Sequence, residues 1–193
     1  MKRLLIAAVL GLSLCSPALA QEFRITPVAE KRLKEIPPGP LFWRIETFPT
    51  LAQAQAAAGP TALPVEAHGK AWLFTLGAKG GSSTGGAKVA EVGPVPPVSA
   101  PEYLLRINYT GGAAGVKTPV HTHPGSEAFY VLTGRLGMHN PHGTMHADAG
   151  KTMNGHGADM PMQVFSAGPG ELNALVMFVV DATRPFSSPA RMP

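Results

Sequence analysis

The sequence carries a single cysteine, Cys15, in 193 residues. It falls within a leader-like stretch, so the working chain is expected to have neither disulfides nor thiolate ligands. Any metal must then be held by His, carboxylate or Met. Charged side chains make up only 15% of the chain and aromatic ones 7%. No Lys/Arg cluster interleaves with aromatics, which argues against a nucleic-acid surface. The one long apolar run, residues 4–14, is too short to span a bilayer. No internal repeat appears, which argues against a duplicated barrel. The glycine/serine loop at residues 78–86 lacks the Gly-Lys-Ser/Thr ending of a phosphate-binding loop. Ser126 has no nucleophile-elbow context, so no Ser-based triad is indicated.

The first residues are Met1, Lys2 and Arg3, followed by the apolar run and by small residues ending at Ala20. This is the pattern of a secretory signal cut after Ala20. Leu14, just before Cys15, is not the small residue of a lipoprotein signal. Export to the periplasm or the extracellular space is expected, with no membrane association after cleavage. Loss of Lys2 and Arg3 leaves 14 basic residues against 12 acidic, a charge of about +2 with neutral histidines.

What the chain has in abundance is turn chemistry, with 22 glycines and 20 prolines. Short strands separated by turns predict an all-β, mainly antiparallel fold. Residues 21–40 read as an arm with one short strand at 23–25. Strands are expected at residues 41–48, 71–76, 87–92 and 102–109, with one short helix at 51–58. The helix stretch is alanine- and glutamine-rich and is stopped by Gly59 and Pro60. Beyond Gly134 the pattern gives a hairpin turning at residues 140–143, then strands at 161–166 and 172–180, then a tail. The expected organisation is a signal at 1–20, an arm and extra strands at 21–100, a β-barrel core at 101–185, and a C-terminal tail at 186–193.

The stretch from Gly115 to Gly134 organises this layout. His121 and His123 are one residue apart, so on an extended strand both face the same side. After a turn at Pro124, Gly125 and Ser126, Glu127 begins an apolar run and points back at them. Two imidazoles and a carboxylate from adjacent strands make a first shell for a divalent metal. Tyr130 falls on the opposite strand face and reads as packing. His139, His142 and His146 belong to the hairpin and read as solvent-facing, with Met138 and Met145 pairing across it.

Gly115, His121, His123, Glu127 and Gly134 have the spacing Gly-x5-His-x-His-x3-Glu-x6-Gly. This resembles the first conserved motif of the cupin superfamily at every named position. The resemblance implies a cupin-type β-barrel or jelly roll, here with an N-terminal extension, and a metal bound by His121, His123 and Glu127. It also implies a homodimer. The second cupin motif is degraded: Gly150 is a fair start, but Met162 stands where the family places a third histidine, and Ser166 where it places asparagine. Three arrangements follow: Met162 as a thioether ligand, His156 swinging in from the glycine-rich segment, or His121, His123 and Glu127 alone with open positions. A divalent or copper ion is expected: a thioether ligand favours copper, and Zn, Mn, Fe or Ni are the alternatives. On a regular strand Val164 and Ser166 share the Met162 face and line the pocket, with Gln163 pointing away.

Cupins include dioxygenases, isomerases, lyases and decarboxylases as well as storage and binding proteins, so the fold does not decide function. The resemblance supports a metal-dependent oxidoreductase, dioxygenase-like, on a small organic molecule, with Glu127 as ligand and proton shuttle. It equally admits a non-catalytic copper-binding protein, or a ligand-binding cupin whose metal is structural or absent.

Overall fold

The computed structural model describes residues 22–193. The expected signal and Cys15 lie outside the described residues. In chain order the elements are β1 (Arg24–Leu33), β2 (Phe42–Phe48), α1 (Leu51–Ala57), β3 (Ala62–Ala67), β4 (Lys70–Gly77), β5 (Ala87–Val92) and β6 (Tyr103–Gly112). There follow β7 (His121–Thr122), β8 (Gly125–Thr133), β9 (Arg135–Asn140), β10 (Gly143–Asp148), β11 (Thr152–Asn154), β12 (Gln163–Ser166), β13 (Leu172–Asp181) and β14 (Ser188–Pro189). All strand pairings between them are antiparallel.

The strands form three layers. The central sheet has the order β1-β6-β13-β8-β11. One face carries the sheet β3-β4-β2-β5. The other face carries β10-β9-β12, which bridges Lys117↔Phe165 and His121↔Met162 extend to the β7-β14 ribbon. The central sheet and this second layer make the expected jelly-roll barrel, and the N-terminal strands add a further layer outside it.

This arrangement explains why β13 and most of β8 are apolar on both faces rather than alternating. A sheet covered on both sides must bury both sets of side chains. Leu105, Ile107, Tyr130, Leu175 and Met177 point outward into a core with Trp43, Trp72 and Phe74. Phe129, Val131, Val176, Phe178 and Val180 point inward into the barrel with Met138 and Met162. Tyr130 is thus a packing residue, its ring 5.7 Å from that of Trp72.

The N-terminal arm forms a longer strand than its sequence suggested. β1 runs ten residues along the edge of the central sheet, paired with β6 and shifted in register between Pro27 and Ala29. Its charges and Pro27 obscure the strand pattern, but both are features that edge strands tolerate. β3 was also unanticipated; it is an edge strand containing Pro64. The helix forms as expected, with the Thr50 hydroxyl accepting from the Gln53 amide at 3.2 Å as its N-cap. The glycine/serine loop is tied down by Glu46, which is fully buried and accepts from the Ser83 amide at 2.6 Å, the Ser83 hydroxyl at 2.7 Å and Arg44 at 3.0 Å. Burial alone would raise the Glu46 carboxyl, but these donors outweigh it and hold it below the usual carboxylate range.

Candidate metal centre

β7 runs beside the segment that leads into β12. The backbones of His121 and Met162 exchange both hydrogen bonds, at 3.0 and 2.9 Å. Directly opposed residues of an antiparallel pair carry their side chains on the same face. His121 and Met162 therefore both face into the barrel. His123 follows at the alternate position, its ring 4.9 Å from that of His121 and nearly perpendicular to it.

Each histidine is oriented from behind. His121 Nδ1 lies 2.9 Å from the Pro119 carbonyl oxygen, and His123 Nδ1 lies 2.6 Å from that of Phe186. A carbonyl oxygen only accepts, so both Nδ1 atoms carry the proton. In the neutral tautomer this leaves Nε2 unprotonated, the arrangement by which metal-binding histidines are held in register. His123 is buried against Phe178 and Phe186, with ring centroids 4.9 and 4.8 Å away. Burial pushes its pKa down to about 4; the bond to Phe186 opposes this, and His121 and Arg106 add to it.

Glu127 opens the inward face of β8. It is buried, and its Oε1 has no hydrogen-bond partner. Its Oε2 lies 3.9 Å from His123 Nε2. Burial pushes this carboxyl up to about 8. Gly155 lies against it, its amide donating to the Glu127 carbonyl oxygen at 3.0 Å. A Cβ on Gly155 would come within 2.5 Å of the Glu127 Cγ.

These three side chains share one cavity of about 450 Å³, within the ~300–1,000 Å³ typical of small-molecule sites. Its walls are mostly apolar, including Phe129, Val164, Val176 and Phe178. The C-terminal segment forms part of the wall through Phe186, Ser187 and Pro189, and β14 is fixed there by pairing with β7.

The structure thus brings together His121, His123 and Glu127. Met162 faces the same side as His121 but is buried among the inner core residues and is not part of the cavity wall. His156 is not brought to the cavity: its Nε2 lies 2.7 Å from Asn140 Nδ2, and its ring is 6.4 Å from that of His142. His139, His142 and His146 are exposed, and Met138 and Met145 are cross-strand partners. Val164 lines the cavity, while Gln163 turns away to donate to the Thr118 carbonyl at 2.8 Å. Ser166 is buried but is not part of the wall.

Two parts of the site had not been recognised in the sequence. Arg106 and Asn108 on β6 both face the cavity; their signal was a run of polar residues at alternate positions, Arg106, Asn108 and Thr110, opposite the apolar face of Leu105 and Ile107. Phe186 had no local signal, because its role depends on the chain returning to β7.

Among the described residues, no three His, Cys, Asp or Glu side chains are already gathered tightly enough to hold an ion as they stand. The donor chemistry nonetheless fits a divalent cation. Two imidazole nitrogens are free and their rings are fixed, and a buried carboxylate oxygen has no partner. Burial disfavours the ionised form of this carboxyl, and a cation would stabilise it.

No protein-family model matches the chain, and no curated protein matches it. It is similar in fold to solved cupin and double-stranded β-helix structures over less than half its length. One is the DMSP lyase DddQ from Ruegeria pomeroyi, at 20% identity over 45% of this chain and 43% of that one, with a TM-score of 0.39. Another is the polyketide cyclase RemF from Streptomyces resistomycificus, at 19% identity over 46% and 62%, with a TM-score of 0.38. A third is a cupin superfamily protein from Desulfitobacterium hafniense, at 16% identity over 40% and 68%, with a TM-score of 0.36. The chain spans less than half the length of the lyase.

Proposed function

We propose that this chain is an exported metal-binding cupin that works on a small, largely apolar organic molecule. His121, His123 and Glu127 would hold the ion. The observation that carries the reading is the pair of Nδ1 contacts to Pro119 and Phe186, which leaves both Nε2 atoms free in the cavity that holds the unpaired Glu127 carboxylate.

A bound ion would supply a Lewis acid able to polarise a substrate oxygen or to engage dioxygen, which suits a dioxygenase-like oxidoreductase. The chain's own contributions are more specific. Phe129, Val164 and Phe178 exclude water and surround the body of the molecule. Glu127, whose carboxyl burial holds well above its usual range in the metal-free protein, would give up that proton on taking the ion, which suits it to be both ligand and proton shuttle.

A second reading is supported by Met162, which lies opposite His121 on the same face. If its thioether completes the shell, the ion is copper and the protein is a non-catalytic copper binder. The test is metal titration of the mature protein with Zn²⁺ and Cu⁺. His121→Ala, His123→Ala and Glu127→Gln should each lower affinity at least tenfold, and unchanged affinity in all three would refute the reading.

A further inference from the structure

We propose that Arg106 and Asn108 form a carboxylate-recognition subsite, and that the ligand of the cavity is a small organic acid with an aryl or branched-alkyl body. The proposal rests on reading the cavity as a ligand site, and it is tested apart from the metal.

The strand register carries the argument. Arg106 is paired with Phe178, and Phe178 with Glu127. The three residues form one row across β6, β13 and β8, all facing the cavity. Adjacent strands are ~4.8 Å apart, so the two ends of the row are about 10 Å apart at the main chain. The cavity therefore has a cationic pole at Arg106, an apolar floor at Phe178 and a second polar pole at Glu127 with the histidines.

The cationic pole has donors to spare. The Arg106 guanidinium carbon lies over the Phe186 ring, 3.9 Å from its centroid. One terminal nitrogen pairs with Glu30, the next residue of the same row on edge strand β1. The Arg106 Nε is buried and has no acceptor. Glu30 is 43% exposed, so solvent screens its partial neutralisation of the arginine. A guanidinium held over an aromatic ring with an unused donor is suited to a planar carboxylate.

Asn108 lies two residues further along the same strand face. It is 3% exposed, lines the cavity, and its Oδ1 has no partner. Neither neighbouring threonine hydroxyl bonds to Asn108. Thr110 donates to the Arg24 carbonyl at 2.7 Å, and Thr118 accepts from the Val164 amide at 3.1 Å. The Oδ1 only accepts, so Asn108 would meet a carboxylate through its Nδ2, the two amide atoms changing places by a half-turn of the terminal torsion, and no hydrogen bond within the protein holds the Oδ1 where it is. Between the poles Phe129, Val176 and Phe178 offer only apolar contact, which selects an apolar body.

The test is calorimetric titration of metal-free and zinc-loaded protein with phenylacetate and isovalerate, each against its primary amide. The acids should bind both forms, with the amides about tenfold or more weaker, the worth of one charge-assisted hydrogen bond. Arg106→Gln should bring the acids down to the level of the amides, and Asn108→Leu should weaken them. Glu30→Gln, at the exposed rim, should tighten acid binding, which keeps the test open if Arg106→Gln does not fold. Equal binding of acid and amide, no binding of either acid, or an acid preference that survives Arg106→Gln would overturn the proposal. If that occurs while zinc binds normally, the subsite fails and the metal reading stands. Acid binding through Arg106 in protein that takes up no zinc would support the subsite and sink the metal reading.

Discussion

His123 Nδ1 donates to the Phe186 carbonyl oxygen at 2.6 Å, joining residues 63 positions apart in the chain. Phe186 also places its ring against those of His123 and Phe178, at 4.8 and 5.0 Å. The C-terminal segment is therefore part of the site. Truncation after Pro185 should lower zinc affinity about 10–100-fold, the usual cost of losing the group that orients a ligating histidine. Phe186→Ala keeps the carbonyl and should affect affinity less. It should cost about 2 kcal/mol of stability in urea unfolding, below the ~3–5 kcal/mol of a fully buried phenylalanine. Equal zinc affinity in the truncated and full-length proteins would mean that the Phe186 carbonyl does not orient His123.

Stability of the metal-free protein should depend on pH in two opposed ways. The Glu127 carboxyl is raised from 4.5 to about 8 in the folded state. Its contribution is thus fully present below pH 4.5 and is lost as pH rises through about 8, because the unfolded chain ionises first. His123 is lowered from 6.5 to about 4, so its contribution is present above pH 6.5 and is lost as pH falls through about 4. Glu127→Gln should therefore be more stable than wild type at pH 8 without metal, and less stable with saturating zinc. Denaturant midpoints at pH 5 and pH 8 check this. A metal-free wild type that matches the glutamine variant at both pH values would contradict it.

Met162 can be separated from its packing role by comparing two variants. Met162→Leu conserves volume and should cost less than ~1.5 kcal/mol. Met162→Ala leaves a cavity and should cost ~2–5 kcal/mol. If the thioether ligates, the leucine variant loses at least tenfold in Cu⁺ affinity while Zn²⁺ affinity changes little. Unchanged Cu⁺ affinity in the leucine variant would leave Met162 a core residue only.

Gly155 supports Glu127 by having no side chain. A Cβ there would lie 2.5 Å from the Glu127 Cγ and 2.7 Å from its carbonyl oxygen. Gly155→Ala should displace the carboxylate, costing ~1–3 kcal/mol of stability and lowering zinc affinity. Gly157→Ala is the control, since its Cβ would meet only Pro96 at 3.4 Å. It should change stability by no more than ~0.5 kcal/mol. Unaltered zinc affinity in Gly155→Ala would show that this contact does not set the carboxylate.

The residues legible in the sequence are those whose placement is local. His121 and His123 share a face because alternation on a strand dictates it. Glu127 meets them, but not across the expected turn: Gly125 and Ser126 already belong to β8, and the chain bends at Pro124 between two sheets whose strands β7 and β8 do not pair. Tyr130 was assigned to packing by the same parity rule. What was not legible depends on pairing between distant strands. Arg106 becomes part of the cavity only through its register with Phe178, and Phe186 only because β14 returns to β7. The length of β1 was hidden because an edge strand can carry charges and Pro27. The doubly apolar β13 carried a signal for a sheet covered on both faces, but of its covering strands β2, β4 and β5 were visible only as extra strands and β3 not at all.

The most direct test of the central claim is anomalous diffraction from crystals of mature protein loaded with stoichiometric zinc, measured at the zinc edge. The account predicts one peak in the cavity, at ~2.0–2.2 Å from His121 Nε2, His123 Nε2 and a Glu127 carboxylate oxygen. A peak at His142 and His156 with none in the cavity would contradict it.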